Sequence, residues 1–231
     1  MNDLSCWETK FKYCCYSKRL LAKLLLLNKK SKQKINILEI KKAIYYAKKY
    51  HGDQKRQSGE PYYSHPLQVA YRIADYIFET NILVTSILHD IIEDTNLTKN
   101  MIDCIFGSVI ADQVENLTRI KADRKISSKE MVSLLWLQKK YNILLIKQFD
   151  RIHNMQTITA KSPEKIIEIT KETLEVFVIL ASYFKMRSVE QELIKLCTAT
   201  NKQNFLQEYC FPTLLENPEL PFLTFQNDVV H

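Results

Sequence analysis

At 231 residues, the chain is long enough for one large domain or two small ones. Apolar residues make up 46% and charged residues 26%, the balance of an ordinary soluble protein, and 3 glycines and 6 prolines are too few for a β architecture full of tight turns. The net charge of +7 fits a solvated basic surface and affinity for a polyanion equally well.

Residues 1–36 are basic and irregular in pattern, and read as an N-terminal extension of a helix or two packed loosely on the main body. The run Leu24 to Leu27 is far too short to span a bilayer. Glu8, Lys10, Lys12, Lys18 and Arg19 interrupt the apolar positions ahead of it, so a signal peptide fits poorly. The six cysteines (Cys6, Cys14, Cys15, Cys104, Cys197 and Cys210) form no C-x-x-C pair. They read as reduced thiols, which points to the cytoplasm.

From Leu38 a helical period sets in, with Ile40, Ala43, Ile44, Ala47 and Tyr50 on one face and a stop at His51-Gly52-Asp53. Residues 52–64 form a polar loop. A helix is expected from about His65, with Ser64 as its cap and Pro66 in its first turn. Ile82 to Glu93 reads as one buried helix ended by Asp94-Thr95-Asn96, and two short helices follow on either side of Gly107. Lys121 to Lys129 is the candidate mobile loop. Helices near 129–140 and 141–159 follow. Pro163 then opens a helix to about Lys185, with Ile166, Ile167, Leu174, Phe177 and Val178 inward. A last helix near 188–198 precedes a Pro-bearing tail, residues 199–231. No strand pattern stands out. The expected fold is all-α, with roughly eight or more helices in a main domain spanning 37–198.

The strongest chemical signal is LHDIIEDT, residues 88–95, four ionisable side chains among apolar ones. Charged groups are rarely buried unless paired or bound to metal. On a helix His89 and Glu93 lie one turn apart, as do Asp90 and Asp94, while His89 and Asp90 project about 100° apart. The alternative for Glu93 and Asp94 is a pair of solvated acids at a helix end. His65 opens a helix after the polar loop, and Asp150 sits in an otherwise apolar helix, where an acid needs a buried partner. Two imidazoles and two carboxylates make a mixed N/O site that suits Mn²⁺, Fe²⁺ or Zn²⁺.

Three segments together resemble the HD hydrolase domain of the RelA/SpoT family: HGDQKRQSGEPYYSHP (51–66), LHDIIEDT (88–95) and FDRIHNMQT (149–157). Weaker likeness runs through DQVENLTRI (112–120) and KETLEVFVILA (171–181), and the whole covers roughly residues 38–198 in order. The resemblance implies an all-α HD-domain helical bundle that removes pyrophosphate from the ribose 3′ position of the alarmone (p)ppGpp. It implies one metal ion, Mn²⁺ or another divalent ion, on His65, His89, Asp90 and Asp150, with Glu93 and Asp94 orienting or activating water. It also implies substrate contacts from Arg56, Ser58, Asn154 and Thr157. The partner is then a small nucleotide, with no membrane and no nucleic acid.

The remaining histidines read as structural: His51 as a helix-end residue contacting the core, and His153 as a packed residue facing away from Asp150. KADRK (121–125) reads as a solvated loop, with contact to substrate phosphates as its alternative. Gln57 and Gln156 stand where many relatives have a basic residue, and Phe149 where a small one is usual, which puts phosphate affinity and room at the site in question. The family's synthetase domain has no visible counterpart. Two other readings stay open: an HD phosphohydrolase for another nucleotide, and a degenerate or truncated paralogue that binds nucleotide or a partner domain.

Overall fold

The computed structural model describes residues 7–121 and 124–200. Cys6, Cys210 and the tail from residue 201 lie outside the described residues. The chain runs through α1 (Trp7–Lys10), α2 (Cys15–Lys30), α3 (Ile37–His51), α4 (Ser64–Ile73), α5 (Thr80–Leu88), α6 (Ile91–Asp94), α7 (Lys99–Phe106) and α8 (Ser108–Leu117). The strands β1 (Ile120–Lys121) and β2 (Arg124–Lys125) then pair antiparallel. After them come α9 (Ser128–Leu137), α10 (Tyr141–Gln156), α11 (Pro163–Glu172), α12 (Ile179–Tyr183) and α13 (Arg187–Thr200). The fold is all-α, as the composition and periodicity predict. Among the described residues, no helix is long and apolar enough to cross a membrane.

Local chemistry sets many of the boundaries. The Asn36 side chain accepts from the backbone N–H groups of Leu38 and Glu39 and so starts α3, while Gly52 stops it at φ 50°, a conformation that favours glycine. Thr98, Ser127 and Ser162 cap α7, α9 and α11 in the same way, with Pro163 in the first turn of α11.

The structure departs from the periodicity in four places. Ser64 is the first residue of α4 rather than its cap, and its buried hydroxyl reaches Glu60 instead. The segment read as one helix from Ile82 breaks at His89-Asp90, so α5 and α6 are separate. The segment expected to be a mobile loop begins as a short hairpin, a pairing too brief for a period-2 pattern to register. The long helix from Pro163 contains a π-helical segment at Thr173–Val178. Ile167, ahead of it, is exposed, while Leu174, Phe177 and Val178 within it are buried.

The centre of the bundle is the trio α4, α5 and α10, which pack on one another. Around it lie α3 and α8 against α5, α9 and α13 against α10, and α2 against α4. Helix α2 is more tightly docked than its irregular pattern predicts: Leu20, Leu21 and Leu24 join the main core, and Lys23 bonds the Tyr71 carbonyl and Asp75 from across the groove. Truncating a fully buried leucine removes transfer energy and leaves a cavity. Leu24→Ala is therefore expected to destabilise the fold by about 2–5 kcal/mol, read as a lowered midpoint in denaturant unfolding. A change below ~0.5 kcal/mol, the level of an ordinary surface substitution, would show that α2 is not part of the core.

Candidate active site

The three helices of the central trio bring four groups to a single point. His65 is the second residue of α4, His89 and Asp90 follow the end of α5, and Asp150 lies in the second half of α10. Ending α5 at Leu88 leaves its last carbonyls without helical donors. His89 Nδ1 takes that of Ser86 at 2.8 Å. A carbonyl can only accept, so Nδ1 carries a hydrogen and Nε2 is turned inward. His65 is turned the same way by an Nδ1 contact with His153 at 2.9 Å.

The Nε2 atom of His65 lies 3.0 Å from Asp150 Oδ1 and 3.4 Å from Asp90 Oδ2. That of His89 lies 3.0 Å from Asp90 Oδ1 and 3.7 Å from Asp150 Oδ1. One ligand atom from each of His65, His89 and Asp150 falls within 4.8 Å of the others. His89 Nε2 is fully buried yet makes no hydrogen bond, a costly state for a polar atom unless something else occupies its lone pair. Two imidazoles and two carboxylates around such an atom fit a divalent cation with positions left for water.

The charges follow from this crowding. Burial alone would lower the His89 pKa, but Asp90 and Asp150 push it up to about 10. Burial would raise both carboxyls, yet His89 and His65 hold Asp90, and Lys147 and the two imidazoles hold Asp150, well below the usual carboxylate range.

The cluster forms the floor of a cavity of about 480 Å³, within the usual range for small-molecule sites. Arg56, Ser58, His65, Asp90, Glu93, Asp94, Asp150, Asn154 and Thr157 all line it, and His89 reaches the cluster from behind. Arg56 is presented by a tight turn, with Gly59 N–H bonded to its carbonyl and Gly59 at φ 87°. Its guanidinium donates to Asn154 Oδ1 at 3.0 Å and to Thr157 Oγ1 at 3.4 Å, and Asn154 Nδ2 donates to Asp150 Oδ1 at 2.6 Å. Glu93 accepts the backbone N–H of Arg119, and Asp94 accepts the Tyr62 hydroxyl at 2.5 Å. Burial and the nearby carboxylates of Asp90 and Asp94 raise the Tyr62 phenol, so it stays a donor.

Of the three departures from the family pattern, only Gln57 lines this cavity, where Lys161 reaches it at 3.5 Å. Gln156 bonds Glu192 outside the cavity, and Phe149 is buried against Tyr76. Phe149 therefore does not crowd Asp150. The structure also corrects the placement of His153. Three residues beyond Asp150, it lies only about 60° round the helix, at ~3.6 residues per turn, and it touches His65. Burial, with His65 and Arg56 close by, lowers its pKa to about 3. Lys147 is a buried amine 2.5 Å from Asp150 Oδ2, and the sequence reading passed over it although it interrupts the same apolar run. His51 is buried, bonded to Gln54 and stacked on Tyr62, as expected of a helix-end residue. On the second strand of the hairpin Arg124 and Lys125 are exposed, with Lys125 at the cavity rim and 3.9 Å from Glu93.

The sequence profile described as an HD domain matches residues 43–183. The chain belongs to the HD domain family. Relatives of this HD domain include the GTP pyrophosphokinase rsh of Brucella ovis, 37% identical over 171 residues, covering 71% of this chain and 23% of that protein. A Mycoplasma pneumoniae protein named probable guanosine-3′,5′-bis(diphosphate) 3′-pyrophosphohydrolase is 37% identical over 169 residues, covering 68% of this chain and 23% of that one. A solved structure described as a metazoan orthologue of SpoT that hydrolyses ppGpp matches with a TM-score of 0.49 at 20% identity, over 71% of this chain and 87% of that chain. The HD domain thus spans under a quarter of the length of the curated relatives it matches.

Proposed function

We propose that this HD domain hydrolyses the 3′-pyrophosphate of (p)ppGpp, yielding GDP or GTP and pyrophosphate, with one divalent ion, Mn²⁺ in the first instance, held by His65, His89, Asp90 and Asp150. Its place is the cytoplasm, where it consumes the alarmone of the stringent response. The observation that carries this reading is the convergence of two inward-facing Nε2 atoms and two carboxylates on the floor of a cation-lined cavity. The names of its relatives supply the substrate.

A bound divalent ion supplies two things a phosphoester dianion denies to water: neutralised charge at phosphorus and a nucleophile available at neutral pH. The rest falls to the chain's own groups. Glu93 and Asp94, each tethered through one oxygen, are placed to orient water and receive its proton. Arg56 sets a fixed positive charge against the pyrophosphate, and its bonds to Asn154 and Thr157 tie that charge to the helix carrying Asp150. Ser58, which lines the cavity, contacts the nucleotide. In the reaction the water oxygen joins the phosphorus attached to the ribose 3′ oxygen. That oxygen leaves with the bonding pair and takes a proton, giving a free 3′-hydroxyl.

Exhaustive chelation is expected to abolish pyrophosphate release, and added Mn²⁺ to restore it. Release that continues undiminished in the chelated protein would overturn the proposal. Arg56→Ala is expected to raise KM for ppGpp by roughly 10-fold or more, the cost of removing one charge-assisted contact of about 1.5–3 kcal/mol, while Mn²⁺ content stays at the wild-type level. An unchanged KM would take Arg56 out of the substrate site.

A further inference from the structure

Both imidazoles of the cluster are steered by their Nδ1 atoms, but by partners of different kinds. For His89 the partner is the Ser86 carbonyl, which can only accept. For His65 it is the Nδ1 of His153, a second imidazole nitrogen that accepts in one tautomer and donates in the other. Two ring nitrogens 2.9 Å apart hold a single hydrogen between them. If His153 donates it, a neutral His65 carries its own hydrogen on Nε2, pointing at Asp150 Oδ1 3.0 Å away, and has no lone pair for a cation. If His65 donates it, Nε2 is bare and faces the two carboxylates. The second arrangement makes the His65 environment equivalent to that of His89, and His153 then carries its hydrogen on Nε2.

His153 is buried, with its ring centroid 4.7 Å from that of His65. It stands one turn beyond Asp150 on α10, while His65 stands on α4. The contact therefore fixes an imidazole of one helix relative to a carboxylate of the other. It does not make His153 a ligand, because its Nδ1 is turned to His65 and the cluster closes on His65, His89 and Asp150 without it.

We infer that His153 is a positioning residue that accepts the Nδ1 hydrogen of His65 and so holds the His65 Nε2 lone pair on the metal point. This rests on the metal-site reading above. Outer partners of ligating histidines are typically worth ~10–100-fold in metal affinity.

The test compares Mn²⁺ affinity, titrated by the EPR signal of the free ion, in wild type, His153→Leu and His153→Asn, alongside thermal melting of each chelated protein. His153→Leu removes the acceptor and is expected to weaken Mn²⁺ binding by ~10–100-fold. His153→Asn places an amide oxygen where Nδ1 was and is expected to recover most of that loss, whatever the two substitutions do to melting. Equal affinity in wild type and His153→Leu overturns the inference, as does a His153→Asn variant that binds as weakly as His153→Leu. Wild type that binds no Mn²⁺ overturns the metal reading as well, so the two failures are distinct. Two-bond ¹H–¹⁵N spectra of the Zn²⁺-loaded wild-type protein give a second measurement that needs no variant. His65 protonated at Nδ1 and His153 at Nε2 is the expected pattern, and a His153 hydrogen on Nδ1 contradicts it.

Discussion

Asp90→Ala is expected to strip the protein of its metal and its turnover together. The Asp90 carboxylate bridges the two imidazoles, at 3.4 Å from His65 Nε2 and 3.0 Å from His89 Nε2. Alanine removes an anionic donor from a four-donor set and leaves two ring nitrogens facing one remaining carboxylate, which is already shared with Lys147 and Asn154. The loss of metal affinity should exceed the ~10–100-fold that follows removal of an outer partner. Metal analysis after gel filtration reads it directly, beside kcat on ppGpp. Stoichiometric Mn²⁺ retained in Asp90→Ala would place the ion elsewhere.

Glu93→Gln and Asp94→Asn are expected to separate the two losses. Both substitutions keep the shape of the side chain and one accepting oxygen. The glutamine amide oxygen can still take the Arg119 N–H, and the asparagine amide oxygen can still take the Tyr62 hydroxyl. What disappears is the charge that receives a proton from water. Turnover should fall on the order of 10²–10⁴-fold, the usual worth of a general acid–base group, with Mn²⁺ content unchanged. If both variants turn over ppGpp at the wild-type rate, the two acids serve only to end the buried helical segment, the alternative their position leaves open.

The residues that converge in the candidate site were legible because their chemistry is conspicuous against an apolar background: four acids and imidazoles in 88–95, an acid at the end of the apolar run before Arg151, a histidine after a Gly- and Pro-bearing loop. The all-α class followed from period and composition for the same reason. What periodicity missed depends on departures from the ideal helical turn or on contacts distant in sequence. At the break at His89-Asp90, the His89 ring takes the Ser86 carbonyl that the ended helix leaves free. Ile167, ahead of the π-helical segment at Thr173–Val178, lies outside, while Leu174, Phe177 and Val178 within that segment are buried. Helix α2 docks through leucines whose partners on α4 lie far along the chain. His153 was within reach, since three residues on a helix is a small rotation, but its partner His65 is 88 residues away. Lys147 was equally visible as the lone cation of an apolar run, and the need for a buried partner at Asp150 pointed to it.

Release of pyrophosphate from the ribose 3′ position in this cavity is tested most directly by product analysis. Purified protein is incubated with ppGpp and Mn²⁺ and the nucleotides and phosphates are resolved by anion exchange. The account predicts GDP and pyrophosphate appearing in equal amounts. Orthophosphate released stepwise, or ppGpp left intact by protein that holds its metal, would contradict it.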